Sequence, residues 1–150
     1  MRGLVQRVAE ASVTIDGRIA GSIERGFLVL VCAMSGDRDA DAETLARKIA
    51  ALRVFKDEDG KMNLPLAAMN GAVLVVSQFT LAADGMESGN RPGFSRAASP
   101  SEGNRLYTHF CSALRSRGVR VETGVFGADM QVSLVNDGPV TIWFDTARSR

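Results

Sequence analysis

The sequence predicts an α+β protein with an antiparallel or mixed β-sheet and two main helices. Three observations lead to this prediction: strand-rich runs stand in blocks at both ends of the chain, two stretches have helical periodicity, and Gly-containing dipeptides mark the turns. Because the chain has 150 residues, we expect one domain, 1–150, with one hydrophobic core.

Composition and charge exclude several classes of protein. Hydrophobic residues make up 45% of the chain and charged residues 23%, which is typical of a globular protein and not of a disordered one. The formal net charge is only +1, so we expect no DNA binding and no broad contact with nucleic-acid phosphates, whereas contact with one end of an RNA is still allowed. The sequence shows neither a signal-peptide pattern nor an apolar run long enough to span a membrane. We therefore expect a cytoplasmic protein without membrane contact.

The first part of the chain predicts antiparallel strands followed by a helix. Two strand-rich runs, GLVQRVAEASVTID and RIAGSIERGFLVLVCAM, meet at Asp16-Gly17, a dipeptide typical of two-residue hairpins. The stretch 39–55 then takes up helical periodicity, with aspartates near its start, where the helix dipole favours them. Its apolar face consists of Leu45, Ile49 and Leu52. This helix is expected to cover one face of the sheet.

The middle of the chain predicts a buried strand with a polar end. The run GAVLVVSQFTLAA is almost continuously apolar, as in central strands that are covered on both faces. Ser77, Gln78 and Thr80 place polar groups at the end of this otherwise apolar strand. The stretch 84–98 is rich in Gly, Ser, Asn and Pro and predicts a long loop, and loops of this length are commonly functional or disordered.

A second helix begins at Ser99, which is the expected N-cap. Pro100 suits the first helical position, and Glu102 completes the sequence pattern of a capping box. The apolar stripe of this helix consists of Leu106, Phe110 and Leu114. Gly118 suits the left-handed residue that often follows a helix.

Three further strands are predicted from VRVETGVF, DMQVSLVN and PVTIWFDT. Asp137-Gly138 stands between the last two and predicts a two-residue hairpin turn. Pro139 is unexpected after this dipeptide, because proline removes a ladder donor from the return strand and the turn does not need it. The proline therefore indicates that this position serves a structural or functional need other than forming the turn.

The chain offers few groups for metal binding or nucleophilic catalysis. Cys32 and Cys111 lie in apolar runs, which predicts buried, unreactive thiols. His109, the single histidine, is expected to be a packing or surface residue of the second helix. A lone histidine without a paired cysteine motif predicts no metal site, and we expect no cofactor. Neither a G-x-S-x-G elbow nor a credible Ser-His-Asp set is present.

Spacing alone leaves the polar end of the buried strand open to two interpretations. The hydroxyls of Ser77 and Thr80 either satisfy backbone groups at the strand end or belong to a hydrolytic site that includes the following loop.

Five stretches together resemble the D-aminoacyl-tRNA deacylase family, of the D-Tyr-tRNA(Tyr) deacylase type, over essentially the whole chain. They are MRGLVQRVAEASV, FKDEDGKMN, VSQFTLAAD, GNRPGFS and FGADMQVSLVNDGPVT. The segments 77–81 and 136–141 are similar to the two signature motifs of that family, in the same order. The residues in these two motifs favour the branch of the family that is specific for D-amino acids. The resemblance implies the fold of the family, with a barrel-like sheet.

The resemblance implies an enzyme that hydrolyses the ester bond of D-aminoacyl-tRNA, and of glycine attached to a non-cognate tRNA. It also implies a homodimer that binds the 3′ end of aminoacyl-tRNA. In such proteins the bond corresponding to Gly138-Pro139 is cis, and this turn reaches into the active site of the partner subunit, where its carbonyls exclude L side chains. Arg7 resembles the residue that braces this chiral gate; alternatively, it is an ordinary strand-edge charge.

The same resemblance implies catalysis without a side-chain nucleophile. The hydroxyl of the terminal ribose would assist hydrolysis, and the backbone N–H groups around Phe79 and Thr80, next to Ser77 and Gln78, would stabilise the oxyanion. Thr80 as a covalent nucleophile is the alternative. Two further residues, Phe126 and Met130, would either pack against the adenine or belong to the core.

Two functions of other classes stay open at this point. The chain is alternatively a small-molecule esterase that uses Thr80, or a non-catalytic module that binds an RNA end.

Overall fold

The computed structural model describes residues 1–84 and 89–149. In this part of the chain, eight strands, two α-helices and three short 3₁₀-helices follow one another. The strands are β1 (Arg2–Ile15), β2 (Arg18–Ile23), β3 (Gly26–Cys32), β4 (Phe55–Lys56), β5 (Met62–Leu64), β6 (Ala72–Ser77), β7 (Arg120–Thr123) and β8 (Gln131–Asp145). The helices are α1 (Asp39–Ala50) and α2 (Pro100–Arg115), and the 3₁₀-helices are Leu66–Met69, Phe79–Ala82 and Thr146–Ser149.

Six of these strands form one mixed sheet, in the order β2-β1-β3-β6-β7, with β8 paired to β1. β1 is antiparallel to β2, β3 and β8, whereas β6 is parallel to both β3 and β7. β2 and β7 contact each other, so the sheet curls into a nearly closed barrel. The predicted α+β class, mixed barrel-like sheet and two main helices are therefore confirmed.

Apolar side chains form two clusters on opposite sides of this sheet. The larger one lies between the sheet and the two helices and includes Leu45, Ile49 and Phe110, all fully buried. The smaller one fills the inside of the barrel and includes Val13 and Leu74. As predicted, β6 is buried along nearly its whole length between parallel neighbours.

The first hairpin and the ends of α2 follow their local sequence signals. Asp16 and Gly17 both have positive φ, at 48° and 74°, as a two-residue hairpin requires. Ser99 caps α2 by accepting a hydrogen bond from the N–H of Glu102 (3.4 Å). The carboxylate of Glu102 binds Arg105 instead of completing the capping box.

α1 ends at Ala50, five residues before the end of the predicted helical stretch. Phe55 belongs instead to the short strand β4, from which its ring stacks on Phe27 with the ring centres 5.1 Å apart. Packing against the core therefore decides where this helix ends.

The predicted hairpin at Asp137-Gly138 is wrong, because β8 is one strand of 15 residues that pairs with β1 on both sides of this dipeptide. Gln6 lies opposite Thr141, and Val8 lies opposite Asn136. Four residues, 137–140, therefore face a single residue of β1 and form a bulge, which we call the gate bulge. β1 is long enough to pair with both halves of β8, and this long-range pairing overrides the local turn signal.

The expected cis bond between Gly138 and Pro139 is also wrong, since the described residues contain no cis peptide bond. A trans bond before proline is favoured by about 0.5–1 kcal/mol in general. Gly138 has φ of 107°, and this left-handed conformation redirects the chain within the bulge without a change of isomer. A bulge also tolerates Pro139, because its residues are outside the regular ladder.

Among the described residues, no helix combines the length and the hydropathy needed to cross a bilayer.

Candidate functional site

A largely apolar cavity of about 610 Å³ lies at the carboxyl ends of β3 and β6. Ligands of sheets with parallel strands commonly bind at this end of the strands, and sites for small molecules have volumes of about 300–1,000 Å³. Residues at the ends of these strands form the floor, and α2 contributes Gly103 and Tyr107 to the wall. The cavity is therefore the candidate active site.

Five of the predicted site residues meet at this cavity. Ser77, Gln78 and Phe79 follow one another at the end of β6, and Phe126 and Met130 approach from the segment between β7 and β8. These two groups are about fifty residues apart in sequence, so the fold alone brings them together.

The chain enters a 3₁₀-helix, Phe79–Ala82, directly after the buried strand. The N–H of Gln78 still donates to the carbonyl of Val31 on β3 (2.8 Å), which fixes the point where the strand ends. The first N–H groups of a helix have no carbonyl partner within it. In this helix they belong to Phe79 and Thr80, and of these two residues Phe79 lines the cavity.

Thr80 is exposed, and its hydroxyl accepts a hydrogen bond from Nε2 of Gln78 (2.5 Å). An amide N–H cannot take up a proton, so this partner does not activate Thr80 as a nucleophile. The single histidine, His109, is the next group to consider as a base, and it lies on α2. Its side chain is one-third exposed, and its Nε2 lies 3.3 Å from Oε1 of Glu43, as expected of a packing or surface residue. The geometry gives Thr80 no base among these groups.

Aromatic side chains line both sides of the cavity. Phe79 is 57% exposed, and its ring meets that of Phe94 edge to face with the centres 5.1 Å apart. On the opposite side, the half-buried ring of Phe126 lies 5.9 Å from that of Tyr107. Phe126 and Met130 each pack against an apolar cluster and also face the cavity, so the core and ligand-contact interpretations are compatible.

One part of the cavity wall, the loop 84–98, was not predicted residue by residue. The loop 84–98 was expected to be functional or disordered, and it contributes Phe94 and Ala97 to the wall. An isolated bridge between Asp84 and Gly93 closes its base, while residues 85–88 lie outside the described residues. Phe94, an aromatic residue in a Gly-rich loop, was the available signal.

Both cysteines are buried and free, as predicted. Burial raises the pKa of each thiol to about 11, so both are protonated near neutral pH. Cys32 lines the cavity but is therefore not a nucleophile. Burial also raises the pKa of Tyr107, whose hydroxyl donates to the carbonyl of Val75 (3.0 Å).

Arg7 holds the gate bulge from beneath. The residue is only 4% exposed, and its Nε lies 3.1 Å from both the carbonyl oxygen and the Oδ2 of Asp137. Its Nη1 donates to the carbonyl of Val54. Nδ2 of Asn136 donates to the carbonyls of Arg7 (3.0 Å) and Val140 (3.1 Å), which closes the neck of the bulge. Arg7 is thus a buried brace and not an ordinary strand-edge charge.

The gate bulge and the cavity of one chain lie far apart. Arg7, which faces the bulge, pairs with Phe27, whereas Arg2 pairs with Cys32 at the cavity. Five residue steps along β3 separate these positions, which is roughly 16 Å at the usual strand rise. The fold therefore does not bring Gly138 and Pro139 into the cavity of their own chain.

No group of three or more His, Cys, Asp or Glu residues within 1–84 and 89–149 is arranged to hold a metal ion.

Comparison with known proteins assigns the chain to a family. The family model described as D-Tyr-tRNA(Tyr) deacylase matches residues 4–145. A D-aminoacyl-tRNA deacylase of Ruegeria pomeroyi is 63% identical over 97% of this chain and 99% of that protein. Another, of Anaeromyxobacter dehalogenans, is 58% identical over 99% of each.

Two solved structures have similar folds. A c-Myc DNA Unwinding Element Binding Protein superposes with a TM-score of 0.89 and 40% identity, over 97% of this chain and 98% of that chain. A probable eukaryotic D-amino acid tRNA deacylase gives a TM-score of 0.78 over 95% of this chain and 97% of that one, and its identity of 18% supports the fold alone. Since the family match and the curated relatives span nearly the whole chain, the chain belongs to the D-Tyr-tRNA(Tyr) deacylase family, and it is an enzyme that hydrolyses the ester bond of D-aminoacyl-tRNA.

Proposed function

We propose that this enzyme is a homodimer that proofreads chirality, and that its partner subunit completes each active site. The cavity takes the 3′-terminal aminoacyl-adenosine of the tRNA, and the gate bulge of the other subunit covers it. The single observation that carries this proposal is the separation of roughly 16 Å between bulge and cavity in one chain. A gate in that position acts only on another copy. An enzyme with this substrate acts alongside translation in the cytoplasm.

The free edge of β8 supports the dimer. Within the described chain β8 pairs with β1 as its one partner strand, so the two halves of β8 outside the bulge offer their other edge to a further strand. Val135 is 50% exposed and Trp143 is 44% exposed on this strand. A twofold interface would cover such an edge and would carry the gate bulge with it.

The gate bulge has the features of a selective wall. Gly138 and Pro139 are exposed, while the buried Arg7 and the side chain of Asn136 hold the bulge on both sides. Rigid backbone near the substrate Cα would exclude an L side chain by steric clash and admit a hydrogen. Glycine and all D residues then fit alike, because main chain does not distinguish between D side chains. Glycine on a non-cognate tRNA is therefore a second substrate.

Catalysis in this proposal relies on backbone and substrate groups. The N–H groups of Phe79 and Thr80 donate to the oxyanion, and the hydroxyl of the terminal ribose assists the attack of water. Phe126 and Met130 lie on the cavity wall, where an adenine ring would pack between apolar surfaces.

Ester loss from matched aminoacyl-tRNAs tests the function. D-tyrosyl-tRNA and glycyl-tRNA should be hydrolysed, whereas L-tyrosyl-tRNA should persist for as long as in buffer. Hydrolysis of the D and L esters at equal rates would contradict the chiral gate. Rapid turnover of simple activated esters that Thr80→Val abolishes would favour the small-molecule esterase. Binding without amino-acid release would favour the RNA-end-binding module.

Gly138→Ala is expected to lower D-aminoacyl-tRNA hydrolysis about a hundredfold, because a methyl group there displaces the bulge. The added Cβ would clash with the Nη2 atom of Arg7. The guanidinium of this buried residue is held by hydrogen bonds of its Nε and Nη1, so Nη2 cannot move aside at low cost. The φ of 107° is in addition unfavourable for alanine. Pro139→Ala is the matched control and should retain most of the activity, since its bond to Gly138 is already trans.

Mixing two inactive variants tests whether the gate acts across subunits. Gly138→Ala retains an intact cavity, and Ser77→Leu, which narrows the cavity, retains an intact bulge. Heterodimers of the two contain one intact site only if the gate belongs to the partner's cavity. About a quarter of the original activity should then return after random subunit exchange. No recovery, or a monomeric mass with full activity, would contradict the proposal.

A further inference from the structure

The 3₁₀-helix Phe79–Ala82, with the proposed oxyanion donors, is held at both ends by neighbouring strands. At its start, the N–H of Gln78 donates to the carbonyl of Val31 on β3 (2.8 Å). At its end, Nη1 of Arg2 on β1 donates to the carbonyl of Leu81 (2.8 Å). The second contact is a side-chain contact, so a single substitution can remove it while the backbone hydrogen bonds of the sheet are retained.

The guanidinium of Arg2 is itself fixed on β1. Its side chain is 14% exposed, and Nε lies 3.4 Å from Oδ2 of Asp145, the residue directly opposite on β8. Its central carbon lies 5.8 Å from the ring centre of Trp143. A planar guanidinium has five N–H donors in fixed directions, so a carboxylate, a ring and a carbonyl can be engaged at the same time. Leu81 is therefore held by a group that has little freedom of its own.

The position and the positive charge of Arg2 both suit it to bind the carboxyl end of the 3₁₀-helix Phe79–Ala82. The last carbonyls of a helix have no partner within it, and a cation there opposes their partial negative charge. Arg2 meets this need at Leu81, one residue after the last of the two proposed donors. The carbonyl of Leu81 belongs to the same short helical turn as the N–H groups of Phe79 and Thr80, so its release would loosen the turn that orients them.

We propose that Arg2 is a positioning residue for deacylation. It sets the direction of the N–H groups of Phe79 and Thr80 and does not itself line the cavity formed by the described residues. The proposal rests on the oxyanion role assigned to these two groups above. Misplacement of a reacting group by about 1 Å costs on the order of a hundredfold in rate, so loss of the contact acts on kcat more than on KM.

Arg2→Gln is the variant that tests this role. Amides of residues 79–83 should exchange faster with solvent, and kcat for D-tyrosyl-tRNA should fall about 10- to 100-fold while KM stays within about threefold. Arg2→Lys retains a cation near Leu81 and should recover most of kcat. Arg18→Gln, an exposed substitution of the same kind on β2, should match the unchanged enzyme in exchange and kinetics.

Hydrogen exchange separates a failure of this proposal from a failure of the proposed function. Unchanged exchange and unchanged kcat in Arg2→Gln would overturn the positioning role and leave the chiral gate and the oxyanion donors standing. Faster exchange with unchanged kcat would overturn it as well, and would also contradict the oxyanion role of the helix. A loss of kcat that follows a fall in Tm and that Arg2→Lys does not recover would reduce Arg2 to a structural residue and overturn the proposal.

Discussion

A D-aminoacyl-RNA that ends in 2′-deoxyadenosine should be deacylated roughly 10²- to 10⁴-fold more slowly than the same RNA ending in adenosine, which is the usual contribution of general acid–base catalysis. Among the described residues, neither a histidine nor a carboxylate is hydrogen-bonded to Thr80, and its hydroxyl accepts a bond from the amide of Gln78. In the proposed mechanism, the ribose hydroxyl supplies the acid–base group that these described side chains do not. Single-turnover rates measure the difference, after subtraction of the uncatalysed hydrolysis of each ester.

Thr80→Val is the control for this result. The valine variant lacks the hydroxyl but keeps the backbone N–H, so we expect deacylation to slow by less than about tenfold. If the deoxy substrate were hydrolysed as fast as the ribose substrate while Thr80→Val was inactive, Thr80 would be the nucleophile and the substrate-assisted mechanism would be wrong.

Arg7→Met is expected to lower kcat/KM for D-substrates more than about a hundredfold and the free energy of unfolding by roughly 2–4 kcal/mol. The methionine fills part of the space but leaves the carbonyls of Asp137 and Val54 without their charged donor. The gate bulge then loses its brace, so the ratio of L to D hydrolysis should rise. Denaturant unfolding and paired D and L assays measure these two effects.

Asp137→Asn distinguishes two contacts that Arg7 makes with Asp137: the ion pair with the carboxylate and the hydrogen bond to the backbone carbonyl. The side chain of Asp137 is 45% exposed, so its charge adds less than about 1 kcal/mol, whereas its carbonyl still accepts from Arg7. We therefore expect nearly unchanged stability and selectivity in this variant. Arg7→Lys gives a second test if Arg7→Met does not fold. Full D-selectivity in both Arg7 variants would show that the bulge needs no brace.

Much of the fold could be predicted because its signals are local. The cap at Ser99 and the hairpin at Asp16-Gly17 depend on a few neighbouring residues, and both formed as expected. The hairpin at Asp137-Gly138 had an equally strong local signal and was wrong. Pairing of β8 with a partner more than a hundred residues earlier decided its structure, and no local pattern reports such pairing.

The candidate site was predicted only in parts. The motif around Ser77 and the segment with Phe126 were identified separately, whereas their meeting at one cavity depends on the order of the strands. The burial of Arg7 could not be predicted either, because an arginine in a strand is usually exposed. The resemblance offered Arg7 as a brace, with a strand-edge charge as the alternative, and the register that places four residues of β8 opposite Arg7 decided between the two.

The pairing of the first strand with the last has a consequence for folding during synthesis on the ribosome. Arg2 and Asp145 are partners across 143 positions of the chain, and β1 also lies between β3 and β8 in the sheet. During synthesis, β1 can pair early with β2 and β3, but its other edge stays open until the final residues emerge. The proposed chiral gate and the part of the cavity wall that β8 contributes at Val132 are therefore both completed last, when this strand pairs with β1.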